Sequence, residues 1–361
     1  MFELRDRAMA EKIISKIRDM NQEIRIMHVC GTHQDTLVKH GLIDMLADVG
    51  VEVRQGPGCP VCVTTPQEIE ETLALARAGK TIAIFGDMLK VPSESGSLLK
   101  AKGEGADVRI VYGINEAVEL AQKIDNDVVF IAVGFETTAP ATAAILLNNP
   151  PDNFSVLCCH RTIPEALRIL VTAGKVEIQG LLEPGHVSVI TGSDMYEFLS
   201  RDYRIPQAIA GFEPLDVLMG VYLLARQIKV GEAKVDNAYT RAVSPDGNLK
   251  AQAAMAQVFD ACDVKWRGFP VLPGTGLKLK PEYAKWDARL KYADILAPVY
   301  TREYEEPPGC RCGDVLRGEM DPQECPLFGK VCNPSNPVGP CMVSFEGGCS
   351  IEYKYRRKQI D

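Results

Sequence analysis

The chain has 361 residues, 46% hydrophobic and 24% charged, a balance that supports packed cores and excludes disorder as the main state. Its 40 Lys and Arg against 48 Asp and Glu leave a net charge of −8, which argues against nucleic acid as a partner, since neutralising phosphates needs a basic surface. No apolar run approaches the roughly 18–20 residues that span a bilayer, and the start Met1-Phe2-Glu3-Leu4-Arg5-Asp6-Arg7 reads as charged and helical rather than as a signal peptide, so no membrane contact and a reducing cytoplasm are expected.

From about residue 24 to 215, apolar strand-like runs alternate with amphipathic helix-like runs. Strands are expected at Ile24–Val29, Val51–Arg54, Thr81–Phe85, Val108–Val111, Val128–Val133, Phe154–Cys158, Val187–Ile190 and Ala208–Ala210. Several are continuously apolar, which suits strands covered on both faces. Between them, Pro66–Ala78 and Asn115–Ile124 read as helices. Thr65 and Glu68 form a capping box around Pro66, and Gly79 closes that helix. The alternation predicts an α/β protein of two consecutive Rossmann-like parallel-sheet domains, residues 1–125 and 126–230. Gly134-Phe135-Glu136 and Gly211-Phe212-Glu213 echo each other after expected strands. Beyond residue 217 come helical stretches at Val217–Val230 and Leu249–Asp260, then a loop-rich tail with Pro307, Pro308, Pro322, Pro326, Pro334, Pro337 and Pro340. Residues 231–361 are assigned to a third, helical and loop-rich unit. Its tail buries little apolar area and needs a staple to stay ordered.

That tail holds six of the 12 cysteines: Cys310, Cys312, Cys325, Cys332, Cys341 and Cys349. Structural disulfides are rare in reduced cytosol, so metal or redox chemistry is the leading reading. Cys158, inside an apolar run, and Cys262, alone in a helical stretch, read instead as small buried hydrophobes. No histidine follows His186, so a local site in the tail is all-thiolate, suited to structural zinc or an iron–sulfur cluster. Zinc ribbons use two Cys-x2-Cys knuckles, which the tail lacks. The spacing Cys310-x14-Cys325-x6-Cys332-x16-Cys349 suits a loop wrapped around a larger cluster, with zinc and disulfides as the other readings. Cys312 and Cys341 are then spare. Either they pack inertly, or they form a redox pair beside the cluster, which passes single electrons where a disulfide takes two.

The remaining motifs sit at strand ends, where open α/β sheets bind ligands. Cys30-Gly31-Thr32-His33 follows the first strand, and Gly56-Pro57-Gly58-Cys59-Pro60-Val61-Cys62 follows the second. The second puts a Cys-x2-Cys pair just before a helix N-terminus, a position that lowers thiol pKa. Gly86-Asp87 reads as a turn or a site, and Glu136 as a helix-start charge or a site. Pro184-Gly185-His186 precedes an expected strand. Together these groups suggest one cleft between two domains. No P-loop, no complete dinucleotide fingerprint at Gly274-Thr275-Gly276 and no Gly-x-Ser-x-Gly elbow occurs.

Taken together, Cys30-Gly31-Thr32-His33, Gly56-Pro57-Gly58-Cys59-Pro60-Val61-Cys62, Gly134-Phe135-Glu136-Thr137-Thr138-Ala139-Pro140, Pro184-Gly185-His186-Val187-Ser188, Gly211-Phe212-Glu213-Pro214-Leu215-Asp216 and the x14, x6, x16 tail closely resemble the HypD family of hydrogenase maturation factors, over about residues 24 to 350. The resemblance implies two α/β domains and a cluster-bearing third. It implies a scaffold on which the Fe(CN)2(CO) unit of [NiFe]-hydrogenase is assembled, with a small chaperone, HypC, and with HypE, which delivers cyanide. Carried over by position, Cys310, Cys325, Cys332 and Cys349 would hold a [4Fe-4S] cluster. Cys30 would hold the nascent iron with its CN and CO ligands, and Cys59 and Cys62 would be a redox dithiol. His33, His186 or loop amides would donate to cyanide, and Cys312 and Cys341 would relay electrons. A second expectation is a cluster-dependent protein disulfide reductase using Cys59 and Cys62, and a third is a structural zinc protein.

Overall fold

The computed structural model describes residues 6–172 and 177–356; residues 1–5 of the charged start lie outside them, and the helix there runs Arg7–Arg18 with Asp6 accepting from the Met9 amide. The strands in chain order are β1 (Ile24–His28), β2 (Val51–Gln55), β3 (Thr81–Ile84), β4 (Val108–Ile110), β5 (Val128–Gly134), β6 (Phe154–His160), β7 (Gly180–Pro184), β8 (Gln207–Ala210), β9 (Val235–Asn237), β10 (Phe259–Lys265) and β11 (Val271–Leu279). They form a five-stranded sheet ordered β2-β1-β7-β8-β9, a four-stranded sheet ordered β4-β3-β5-β6, and a β10-β11 ribbon. All pairings in the two larger sheets are parallel, as the helical crossovers require.

Burial explains the sequence pattern. Every residue of β3, β5, β6, β7 and β8 is buried, so these strands show no polar alternation. Helices Arg7–Arg18 and Pro214–Val230 cover the outer face of the five-stranded sheet through Ile14, Ile17, Leu218 and Val221. Ala117, Ala139, Ala143 and Phe259 cover the outer face of the four-stranded sheet. The two inner faces share one core, in which Met27, Val29 and Leu181 of the first sheet join Ile82, Val129 and Leu157 of the second.

The sheets interleave along the chain. The backbone leaves the first sheet after β2, builds the whole second sheet, and returns at β7. The expected division at residue 125 therefore does not coincide with a change of sheet: β3 and β4 belong with β5 and β6. Residues beyond 231 are likewise shared out. β9 completes the first sheet, β10 and β11 pack beside β6, and the tail reaches back to β1 and β2.

Two element assignments change. Val187–Ile190 is not a strand but part of a helix, Gly185–Thr191, and the strand is β7 just before it. Glu183 in the middle of Gly180–Pro184 disguised that strand, and the β-branched Val187 and Ile190 disguised the helix, where packing overrides local propensity. Cys262 lies in β10 rather than in a helix; the helix ends at Val258, and the next residues alternate in burial against β11. Cys158 is buried, its thiol donating to the Leu277 carbonyl at 3.1 Å, as a packing cysteine should.

The capping box at Thr65 is present, and Glu68 does more than cap. Its Oε2 accepts from the Thr65 amide at 2.8 Å and from Arg161 at 2.7 Å, both side chains being buried. Burial alone would push the Glu68 carboxyl up; the Arg161 charge reverses that and holds it below its ordinary value. Arg161 also donates to the carbonyls of Cys159 and Lys265, tying β6, the helix Pro66–Arg77 and β10 together. Glu68→Ala strands the guanidinium without a counter-charge and should destabilise the fold by about 3–5 kcal/mol in urea unfolding; a loss below about 1 kcal/mol would show that the pair ties nothing together.

Candidate functional site

The loops after β1 and β2 meet backbone to backbone. β1 and β2 are in register, His28 beside Gln55, so Cys30 and Cys59 emerge from neighbouring strand ends. A Cβ on Gly58 would stand 2.2 Å from both the Cys30 nitrogen and the Val29 carbonyl carbon, so only glycine permits this approach. Cys30 precedes the helix Gly31–Lys39. Cys59 caps the short helix Pro60–Val63, where its sulfur accepts from the Cys62 amide at 3.2 Å; Cys59 and Cys62 are joined as a disulfide with Cα atoms 5.2 Å apart. The structure thus brings Cys30, Cys59 and Cys62 together.

They are not in an open cleft. Cys30 is 7% exposed, Cys59 1% and Cys62 0%. The tail covers them: a Cβ on Gly31 would stand 2.5 Å from the Glu346 Cβ. Thr32 donates to the Glu346 carboxylate at 3.4 Å, and Ser344 to Asp87 at 3.3 Å. Burial and the neighbouring Glu346 push the Cys30 thiol up to about 12, although the Thr32 and His33 amides point at its sulfur. Burial and Asp87 in turn push Glu346 up to about 7. Asp87, read as a turn or a site, thus belongs to this cluster. Glu346 and His28 were missed, since neither stands in a motif; a lone acid in the glycine-rich run Phe345-Glu346-Gly347-Gly348 was the available signal.

His33 is buried and donates through Nε2 to the carbonyls of Ala210 and Gly211, at 3.3 and 3.0 Å. Its single N–H is spent, and Nδ1 is left as an unpartnered acceptor. Burial lowers its pKa to about 3, so it stays neutral. His28 repeats the pattern: Nε2 meets Gln34 at 2.7 Å, Nδ1 has no partner, and burial lowers it to about 4. His186 is the second residue of the helix Gly185–Thr191, is exposed, and stacks on Phe212 with ring centroids 3.8 Å apart; the His33 ring lies 5.4 Å from the same Phe212 ring. With β7 placed, Pro184-Gly185-His186 also follows a strand end.

Glu136 belongs elsewhere. It follows β5, its Oε1 accepts from the Ile163 amide at 2.9 Å, and it lines a cavity that includes none of Cys30, Cys59 and Cys62. A further buried acid, Glu183 on β7, was not singled out in the sequence; neither carboxylate oxygen has a partner among the described residues.

In the tail, Cys310, Cys312, Cys325, Cys332 and Cys349 line one small cavity with Leu327, Phe328 and Met342. The Cys310 and Cys312 sulfurs stand 2.5 and 2.6 Å from where a Cβ on Gly339 would be, and Cys332 accepts from the Val338 amide at 3.4 Å. Among the described residues, no three His, Cys, Asp or Glu side chains close on one point as ligands of a single ion do. Cys312 begins the helix Cys312–Leu316 and Cys341 lies in Pro340–Val343; both helices pack against Pro60–Val63, which carries Cys62. Cys312 and Cys341 touch each other and Cys349.

Whole-chain comparisons with known proteins place the chain in a family. The HypD family model, described as "Hydrogenase formation hypA family", matches residues 7–356. The chain is 48% identical to a Methanocaldococcus jannaschii protein named for hydrogenase expression and formation, covering 99% of this chain and 100% of that one. It is 41% identical to hydrogenase maturation factor HypD of Azotobacter vinelandii over 99% and 97% of the two chains. Against hydrogenase maturation factor HypD of Escherichia coli K12 the identity is 43%, over 94% and 91%. No helix among the described residues is long and apolar enough to cross a membrane.

Two outcomes follow from the buried geometry. Glu183 is pushed up to about 8 by burial from an ordinary 4.5, so the folded state binds its proton more tightly than the unfolded one. Its protonation supports folding below pH 4.5, and that support fades as pH rises toward 8. Glu183→Gln should therefore raise the melting temperature at pH 8.5 and change it little at pH 4.5; an equal change at both would remove this account. Gly58→Ala should cost about 1–3 kcal/mol in chemical unfolding, because neighbouring backbone cannot yield as a side chain does.

Proposed function

The chain belongs to the HypD family of hydrogenase formation proteins, and from that premise we propose that it is a scaffold on which the Fe(CN)2(CO) unit of [NiFe]-hydrogenase is assembled. The observation that carries this reading is the junction of two thiol groups: Cys30, Cys59 and Cys62 at the ends of β1 and β2, against the tail helices of Cys312 and Cys341. Thiolates are soft donors and suit low-valent iron with CN and CO ligands. Cys30 holds that iron as cargo. Its thiol is protonated in this fold, so binding must remove a proton, and Glu346 stands beside it with a carboxyl near neutrality. The Thr32 and His33 amides offer hydrogen bonds to the resulting thiolate. With the His33 N–H committed to carbonyls, His186 and loop amides remain as donors to cyanide.

The tail cavity is lined by thiols with no histidine or carboxylate among them, a donor set that suits an iron–sulfur cluster. Cys310, Cys325, Cys332 and Cys349 would hold a [4Fe-4S] cluster, which when bound supplies single electrons. Cys312 lines that cavity, Cys341 touches Cys312, and the helices of both pack on the helix of Cys62, whose disulfide with Cys59 takes two electrons and two protons to reduce. Burial of Cys59 and Cys62 disfavours the reading as a reductase of other proteins, since no partner disulfide reaches them. HypC and HypE are the proposed partners; Phe345, 70% exposed beside Glu346, lies where a partner arriving at Cys30 would meet the covering segment.

Anaerobic purification with iron, sulfide and zinc analysis, joined to infrared and visible spectra, tests the proposal. Cys30→Ser should lose the cyanide and carbon monoxide bands and keep the cluster absorption. Cys325→Ser should lose the cluster absorption. Cys312→Ser should keep that absorption and block hydrogenase maturation. A colourless protein with stoichiometric zinc would overturn the cluster assignment, and bands unaffected by Cys30→Ser would overturn the site.

A further inference from the structure

A second chamber includes neither the thiols at the ends of β1 and β2 nor those of the tail. It has a volume of about 630 Å³ and is walled mainly by Phe198, Met255, Phe259 and Leu277. That volume is within the range of small-molecule sites. It lies where the ends of β5 and β6 meet the helices Gly185–Thr191 and Leu249–Val258, so elements of both sheets enclose it.

One polar group inside it has no partner. Glu136 is 3% exposed and lines the chamber. Its Oε1 accepts from the Ile163 amide, and its Oε2 bonds to nothing among the described residues. A buried polar atom left without a partner costs about 1–3 kcal/mol, so a donor that entered the chamber and met the Glu136 carboxyl would relieve that cost. The charge of the wall says which donor. Glu136, Glu165 and Arg168 are the only charged residues lining it among those described, and Arg168 is already bonded to Glu165 at 2.6 Å. Burial pushes the Glu136 carboxyl up to about 7, so near neutral pH it holds its proton part of the time, and a cation in the chamber would draw it into the charged form. Of the neutral polar side chains in the wall, Thr191 donates to the Val187 carbonyl, Gln252 donates to the carbonyls of Ile190 and Asp246, and Thr162 is the remaining hydroxyl. The faces of Phe198 and Phe259, and the thioether of Met255, are surroundings in which a cation is tolerated without water.

We propose that this chamber binds a small organic cation, an amine on an apolar body, whose N–H groups bond to Glu136 Oε2 while the body lies against Phe198, Met255, Phe259 and Leu277. The site is independent of iron assembly at Cys30 and of the tail cavity, neither of which contributes a residue to it. An anion is rejected by the same charge, and a neutral alcohol of equal shape gains the wall without the ion pair.

Calorimetric titration of the full-length protein with phenethylamine, 2-phenylethanol and 3-phenylpropionate tests this. Phenethylamine should bind at least about tenfold more tightly than 2-phenylethanol, and 3-phenylpropionate should give no heat. Glu136→Gln, which keeps shape and removes charge, should weaken phenethylamine at least about tenfold and leave 2-phenylethanol unchanged. Met255→Trp, which fills the chamber, should abolish binding of both. If Glu136→Gln does not fold by circular dichroism, the Met255→Trp result decides. Equal affinities for the three probes, no heat from phenethylamine, or phenethylamine binding that survives either substitution would each overturn the proposal.

Discussion

The contact on which the structure depends is a stack of backbone on backbone at the ends of β1 and β2. Gly58 lies on Val29 and Cys30, and Gly31 lies under Glu346. No side chain fits between these segments, so the Cys30 loop is held tightly against both the Cys59 loop and the tail segment at Glu346. The route of the chain makes the contact necessary. The short helix Pro60–Val63, with Cys59 before it and Cys62 in it, is where the backbone passes from the first sheet toward the second, and the tail returns to pack on that passage. The tail itself is built of turns and short helices such as Cys312–Leu316 and Pro340–Val343. Too few regular hydrogen bonds hold it for it to stand alone; its order comes from the thiol-lined cavity and from the sheet ends beneath it.

Sealing by the tail sets the chemistry. Water is excluded from Cys30, so its proton is retained, and from His28 and His33, so both rings are neutral. A group that must change its proton in such a place needs a neighbour able to exchange it, and Glu346, on the covering segment itself, is that neighbour. The same segment that closes the site therefore also tunes it. Closure further explains why an apolar core can include Cys59, Cys62, Cys312 and Cys341 together: all four sulfurs are dry.

Much of the fold was legible because its signals are local. Continuous apolar runs marked β3, β5 and β6, and Thr65, Pro66 and Glu68 marked a helix start that the structure reproduces. What escaped was non-local. Sheet membership depends on which strand the chain returns to, and nothing in β1 announces that its second neighbour is β7, about 150 residues on. Glu183 hid β7 because an unpaired buried acid is the rarest strand residue, and Val187 and Ile190 offered β propensity to a helix fixed by its packing. For the site, Cys30, Cys59 and Cys62 were found by type and spacing. Their burial was invisible, since the cover comes from residues 344–348, nearly 300 positions away. Glu136 was picked out by its position after a strand, and the structure moves it to a chamber of its own.

The central claim is that the tail and the Cys30 loop form one closed unit, which the proposed cluster would hold together. Hydrogen exchange read by mass spectrometry, on anaerobically purified protein before and after iron is removed by a chelator, measures this directly. The account predicts that peptides covering residues 28–34 and 56–63 lose protection together with those covering 310–349. Faster exchange in the tail alone, with the two sheet-end loops unchanged, would contradict it.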